Sequence, residues 1–380
     1  MRSSAFLYPW DVLGDPEAPA RIADLGVRQV TLASAYHSTR ALTPRHPSHR
    51  IVTAEYAAVL YPPGEQLWQG RELRPYPAGS WAPGDAFGRA AEALAAAGLD
   101  IHSWVVLAHN SRLGAEHPAT SVVNAYGDRY PWAPCIAQPR VRSYLVALAA
   151  EAAVRPGASG TELESCGWYG LAHLHAHDKI AGVALDDTAQ YLMSLCFCGS
   201  CGEGYAEVGL DSQELMERVR GALEPVWRGG PVGASGAELL AATLEFRART
   251  ARTLQESAVA AVRGRARAGF RVLLHADPAA HHCGPNTGVD PAHILGVADG
   301  VVVPCTGGAG LLEPFAANGA RRAVLAANFT VVSGMGGRPG VLAEDAARAV
   351  SLGATELRLY HAGLASDADL EAVRRSGVVG

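Results

Sequence analysis

Short apolar segments, each followed by a helical stretch, recur along the whole chain and constrain its fold more than any other feature. They are Ser3–Pro9, Arg28–Ala35, Ile101–Ala108, Thr161–Trp168, Phe270–Ala276, Gly300–Pro304, Arg322–Asn328 and Glu356–His361. Runs such as VVLA in the third and GVVVP in the sixth show little polar alternation, which suits strands covered on both faces. The intervening helical stretches are Glu17–Leu25, Ala86–Ala97 stopped by Gly98, Pro139–Ala152 opened by its proline, Glu344–Leu352 and Asp367–Arg375. TAQYLMSL reads as a further helix capped by Asp186 or Asp187, and Ser212–Arg267 is helical apart from the turn-rich GGPVGASG. Eight strands alternating with helices through right-handed crossovers close most economically as an α/β fold, a (β/α)8 TIM barrel. The alternative is an open doubly wound sheet, but no G-x-G-x-x-G follows the first strand. Long loops follow strands 2, 3 and 4. With 380 residues, no internal repeat and no clean linker, residues 1–380 are expected to form a single barrel domain with a metal-binding loop insertion around 135–201.

The composition fits that picture. Apolar residues make up 49% of the chain and charged ones 18%, enough apolar side chain for a large core. The net charge of −5 is small and arginines form no basic stripe, so nucleic acid is not an expected partner. The N-terminal MRSSAFLYPWD has no basic segment followed by a long apolar one, and no apolar run could span a bilayer. Of the seven cysteines, Cys196, Cys198 and Cys201 form a C-x-C-x-x-C motif, which fits a reduced, cytoplasmic protein with a metal site better than a disulfide framework. A homo-oligomer is compatible with all of this.

Chemistry-bearing residues are densest between Gly160 and Cys201. Strand alternation puts Glu162 and Glu164 on one face, and His173, His175 and His177 follow at every second position. In a barrel the active site lies at the C-terminal ends of the strands. Those ends carry Trp10 and Asp11, Tyr36 and His37, His109 and Asn110, Glu162 and Glu164, His275 and Asp277, Cys305, Asn328, and Tyr360 and His361. A list so rich in titratable and hydrogen-bonding groups suits a polar ligand. Three thiolates from one loop need a fourth ligand to complete tetrahedral zinc, and Cys135 and Cys166 are both candidates. Four thiolates leave no position for water, so such a zinc would be structural. The histidines from His173 to His177 could instead serve a second metal, and His281, His282 and Cys283 form another polar cluster.

Cys135 ahead of a helix, a glutamate at the end of strand four, and CFCGSC leading into another helix resemble the glycoside hydrolase family 42 β-galactosidases and related barrel hydrolases. The resemblance implies a structural zinc on Cys135, Cys196, Cys198 and Cys201, and Glu164 as general acid/base. It also implies a nucleophilic glutamate at the end of strand seven, where this chain has Asn328. The second carboxylate would then be Glu162 or Asp277, about 6.5–9.5 Å from Glu164 in an inverting arrangement. The expected function is a glycosidase-type hydrolase acting on a sugar or sugar-like molecule. Tyr36, His37, His109, Asn110, Trp168, His173, His175, His275, Asn328 and Tyr360 would line its ligand site. The rivals are a metal-dependent hydrolase, lyase or isomerase built on His173–His177, and a carbohydrate-binding protein that no longer hydrolyses.

Overall fold

The computed structural model describes residues 1–171, 179–319 and 323–379; His173, His175 and His177 lie outside them, as does Arg322, the expected start of strand seven. Eight parallel strands close into a barrel: β1 (Arg2–Leu7), β2 (Gln29–Tyr36), β3 (Asp100–Val106), β4 (Ala158–Glu164), β5 (Arg271–Asp277), β6 (Gly300–Pro304), β7 (Val324–Thr330) and β8 (Glu356–Tyr360). β1 pairs with both β2 and β8, which completes the ring. Outward side chains of the strands pack against the surrounding helices in one large apolar core. Helix Pro139–Ala153, following β3, packs against the long helix Gly236–Arg265, which follows β4.

The excursions after β2 and β3 hold elements that read as irregular sequence. Thr39–Leu42 and Ile51–Ala54 form an antiparallel hairpin, as do Ser121–Val123 and Arg129–Pro134. The predicted strand four is shortened at its far end. Ser165, directly after Glu164, takes a left-handed backbone with φ of 54°, which ends the strand. Cys166 and Trp168 therefore lie beyond β4, not on it. Strand one likewise stops at Leu7, and Pro9–Asp11 forms a 3₁₀ turn. Strand seven runs two residues past Asn328, to Thr330.

The lower barrel interior is polar. Ser4, Thr31, His102, Glu162 and Arg358 meet there beside a small apolar group of Leu273, Val302 and Ala326. Gly160 belongs to the same face of β4, and a Cβ at that position would collide with the His102 ring. Higher up, Phe6, Ala33, Trp104 and Val106 form the floor of the mouth.

Candidate active site and thiolate cluster

Glu164 ends β4 and is 7% exposed, at the base of the barrel mouth. Its Oε2 accepts a hydrogen bond from Trp104 Nε1 at 2.8 Å. Three phenols surround it. Tyr8 donates to Tyr36 at 2.9 Å, and Tyr36 is hydrogen-bonded in turn to Tyr360. Burial, reinforced by the neighbouring phenols and the Glu164 charge, raises the pKa of Tyr8 and of Tyr36 well above the usual tyrosine value. Burial and the Glu164 charge push Tyr360 up to about 12. All three therefore stay protonated; Tyr8 spends its hydrogen on Tyr36, and the phenol at the end of the run is left to donate to an anionic or hydroxylated ligand. The aromatic wall continues through His37, stacked on Tyr36 at 4.2 Å, and His109, stacked on Tyr169 at 4.5 Å. Trp104 and Tyr8 were not singled out from the sequence. The alternation that pairs Glu162 with Glu164 also turns Trp104 inward on β3, and that was the available signal.

Glu162 does not belong to this mouth. It has no exposed surface, and its Oε1 accepts from Arg358 Nε at 2.6 Å and from Thr31 at 3.2 Å. Burial alone would raise its carboxyl, but the Arg358 guanidinium, with His102 and His275, outweighs that and holds it well below the carboxylate range. The structure places it beneath the mouth, paired with Arg358 and apart from Glu164. His275 shares that environment: its Nε2 lies 3.6 Å from Glu162 and its ring packs edge-on against Phe6. Trp168, expected to face a sugar ring, packs in the core. Its indole N–H donates to the Arg247 carbonyl at 2.9 Å, the Arg247 guanidinium covers its face, and 4% of it is exposed. Asn110 spends its side chain capping helix Ser111–Glu116 through Leu113 N–H at 2.9 Å, and it also bonds Tyr144.

Asn328 stands inside β7, its Oδ1 buried without a hydrogen-bond partner among the described residues. Asp277 ends β5 with both oxygens engaged, Oδ1 by the Ala279 N–H at 2.8 Å and Oδ2 by His282 Nδ1 at 2.9 Å. On the β1–β8 side, Asp11 is buried and accepts the Tyr8 N–H at 2.8 Å; burial raises it to about 7. His361 beside it is fully buried, and burial lowers it to about 3.

The thiolate motif closes on Cys135 and excludes Cys166. Cys135 Sγ lies 3.5 Å from Cys201 Sγ and 3.7 Å from Cys198 Sγ, and the four sulfurs, with Cys196, lie within 4.8 Å of one another. Thiolates about 2.3 Å from a tetrahedral ion sit about 3.8 Å apart, so the donor set and spacing fit a metal ion. Val123 N–H points at Cys196 Sγ at 3.4 Å, a further contact that would orient a ligand. The cluster ties the segment after β3 to helix Gly199–Glu207 after β4. Cys166 is buried elsewhere, its thiol pushed up to about 12 by burial. Among the described residues, no helix is long and apolar enough to cross a membrane.

The chain matches no family model and no curated protein sequence. Its fold resembles solved structures at low identity. The glycoside hydrolase domain of PgaB from Bordetella bronchiseptica is 16% identical with a TM-score of 0.59, over 98% of both chains. The α-L-fucosidase isoenzyme 2 of Paenibacillus thiaminolyticus is 13% identical with a TM-score of 0.58, over 99% of this chain and 49% of that one. A family 42 β-galactosidase of G. stearothermophilus is 12% identical with a TM-score of 0.56, over 99% of this chain and 56% of that one. The chain thus spans about half the length of the fucosidase and of the β-galactosidase, and these likenesses establish a TIM-barrel fold of the kind glycoside hydrolases use.

Proposed function

We propose that the protein is a glycosidase-type hydrolase acting on a sugar or sugar-like molecule, with Glu164 as general acid/base. The observation that carries this reading is the setting of Glu164, one oxygen held by Trp104 and the group ringed by protonated phenols at the barrel mouth. Tyr36, His37, His109, Tyr360 and Asn328 would hold ligand hydroxyls, with His173 and His175 as further candidates outside the described residues. Asp277 is the remaining choice for the second carboxylate. β5 runs in register with β4 from Arg271 against Gly160 to Leu274 against Leu163, so Asp277 stands one inward step beyond the residue facing Glu164. Strand spacing and rise place the two Cα atoms about 8 Å apart. Inversion requires the carboxyl groups themselves to stand about 6.5–9.5 Å apart with a water between them.

The test is hydrolysis of a panel of glycosides by wild type and Glu164→Gln. The variant keeps the shape and removes the ionisable carboxyl, so turnover should fall about 10²–10⁴-fold with the melting temperature little changed. Full activity in Glu164→Gln overturns the reading. Asn328, in place of a strand-seven carboxylate, favours a second reading, a sugar-binding protein without turnover; binding of a glycan that no preparation hydrolyses would select it.

The thiolate cluster is proposed to hold one structural zinc. Elemental analysis should give about one equivalent that resists dialysis, and Cys198→Ser should lower stability while leaving the rate of the folded fraction unchanged. Metal-free protein of unchanged stability would remove zinc from the account.

A further inference from the structure

Past β5 the chain turns through Ala279–Cys283 and brings His281 and His282 against the start of helix Asp187–Met193. We propose that His281, His282 and Asp187 form a binding site for a single divalent transition-metal ion, separate from the thiolate cluster; it shares the His282–Asp277 pair with the carboxylate proposed above, but its test reads metal binding and not turnover. One ligand atom from each residue lies within 4.8 Å of the others, and His282 Nε2 is 3.7 Å from Asp187 Oδ2. Nitrogen and oxygen donors about 2.0–2.2 Å from a tetrahedral ion sit about 3.4 Å apart. The His282–Asp187 edge is close to that already. No edge exceeds 4.8 Å, so closing the set needs shifts of at most about 1.4 Å, and the Asp187 side chain is 75% exposed.

The second observation lies behind the ligands. His282 Nδ1 bonds the Asp277 carboxylate at 2.9 Å, and Asp277 is itself fixed by the Ala279 N–H at 2.8 Å. A metal-ligating histidine is commonly held this way, the carboxylate fixing the tautomer so that the other ring nitrogen presents its lone pair. Here that other nitrogen is the one nearest Asp187. A plain ion pair, an imidazolium between two carboxylates, involves Asp277 and Asp187 alone; His281, packed edge-on against Tyr191 and His282, adds a third donor atom within 4.8 Å of the other two.

The third observation is space. Asp187, Tyr191, Ser194, His281 and His282 line a cavity of about 220 Å³, several times what an ion needs. Cys283 also borders it, but its Sγ is engaged by Arg247 Nη2 at 3.0 Å and stays out of the donor set. Three protein ligands with open positions describe a metal that keeps water or a small ligand, in contrast to the closed thiolate site. Two imidazoles and one carboxylate suit zinc, iron, nickel or copper rather than magnesium or calcium, which take oxygen ligands. Bound metal would also lock His282, and through it Asp277.

The experiment is a zinc titration of the full chain followed by equilibrium dialysis and elemental analysis. Wild type should bind a second equivalent that a mild chelator strips while the thiolate-bound equivalent remains. Asp187→Ala and His281→Ala should each weaken that second equivalent at least 10-fold, and Asp277→Asn should weaken it about 10–100-fold, the usual effect of losing a carboxylate behind a ligating histidine. The exposure of Asp187 makes its variant safe for folding, and retention of the thiolate-bound equivalent confirms that each variant is folded. The proposal is overturned if wild type takes up no second equivalent at millimolar zinc. It is equally overturned if Asp187→Ala and His281→Ala bind the second equivalent as wild type does, which would place that ion elsewhere.

Discussion

Glu162 and Glu164 leave the same face of β4 one inward step apart, yet the first is closed off by Arg358, Thr31, His102 and His275 while the second meets an indole N–H and a ring of phenols. Their chemistry diverges because of depth. In the lower interior no water reaches a carboxylate, so a full cationic partner is needed to keep it charged. At the mouth Glu164 meets the Trp104 N–H and keeps 7% of its surface exposed, which leaves the group available to a ligand. A pair of carboxylates on one strand face is therefore not evidence of a catalytic pair until each has been placed along the barrel axis.

The largest effect expected from this contrast is on stability. Arg358→Met would leave the Glu162 carboxylate buried without its main partner, and the loss should be about 3–5 kcal/mol in urea denaturation. Glu162→Met/Arg358→Met removes both charges and should recover most of that loss. Should Arg358→Met cost under about 1 kcal/mol, the lower interior is not the sealed ion-pair site described, and Glu162 returns as a candidate for chemistry.

The barrel was legible in the sequence because its strands are buried on both faces and their apolar runs carry that fact locally. The end of β4 was not, since only the left-handed backbone of Ser165 stops the strand there, and serine has no special preference for that conformation. The two hairpins were hidden in proline-rich sequence without a recognisable two-residue turn. The thiolate cluster was legible from spacing alone as far as three ligands; Cys135 as the fourth came by resemblance, and the structure brings it to the other three. Glu164 and the tyrosines at strand ends were readable from the barrel rule. Two fates were not: Glu162, whose partner Arg358 lies on β8, and Trp168, whose cover Arg247 lies on the long helix. Both depend on contacts far apart in sequence, which periodicity does not report.

A second test uses the other buried carboxylate of the mouth. Asp11 is raised to about 7 from 3.8, so it adds stability at low pH that is lost as pH climbs from about 4 through about 7. His361 is lowered to about 3 from 6.5, so its contribution is present above pH 6.5 and is lost as pH falls toward 3. Across about pH 4 to 6.5 the two slopes have opposite signs and offset each other. Asp11→Asn keeps the acceptor for the Tyr8 N–H and removes only the titration. Its stability relative to wild type should rise with pH by up to about 1.4 kcal/mol per unit in that window. Parallel melting curves for the two proteins from pH 4 to 8 would show that Asp11 is not the protonated counterpart of the sealed Glu162.

The smallest and most discriminating change is Trp104→Phe. It keeps an aromatic ring against Phe6 and Tyr8, where Trp104 packs at centroid distances of 4.8 and 5.8 Å, and removes the N–H that holds Glu164 Oε2. An intramolecular hydrogen bond contributes about 0.5–1.5 kcal/mol net. Part of that will appear as lost stability, because the indole is fully buried. If Glu164 is the acid/base, its loss of orientation should also lower kcat on any glycoside that the wild type hydrolyses, by roughly 10-fold or more, with KM moving less. Equal losses in Trp104→Phe and in a stability-matched variant of the lower interior would mean that the indole acts through folding alone, and the distinction between the two glutamates would then rest on Arg358 only.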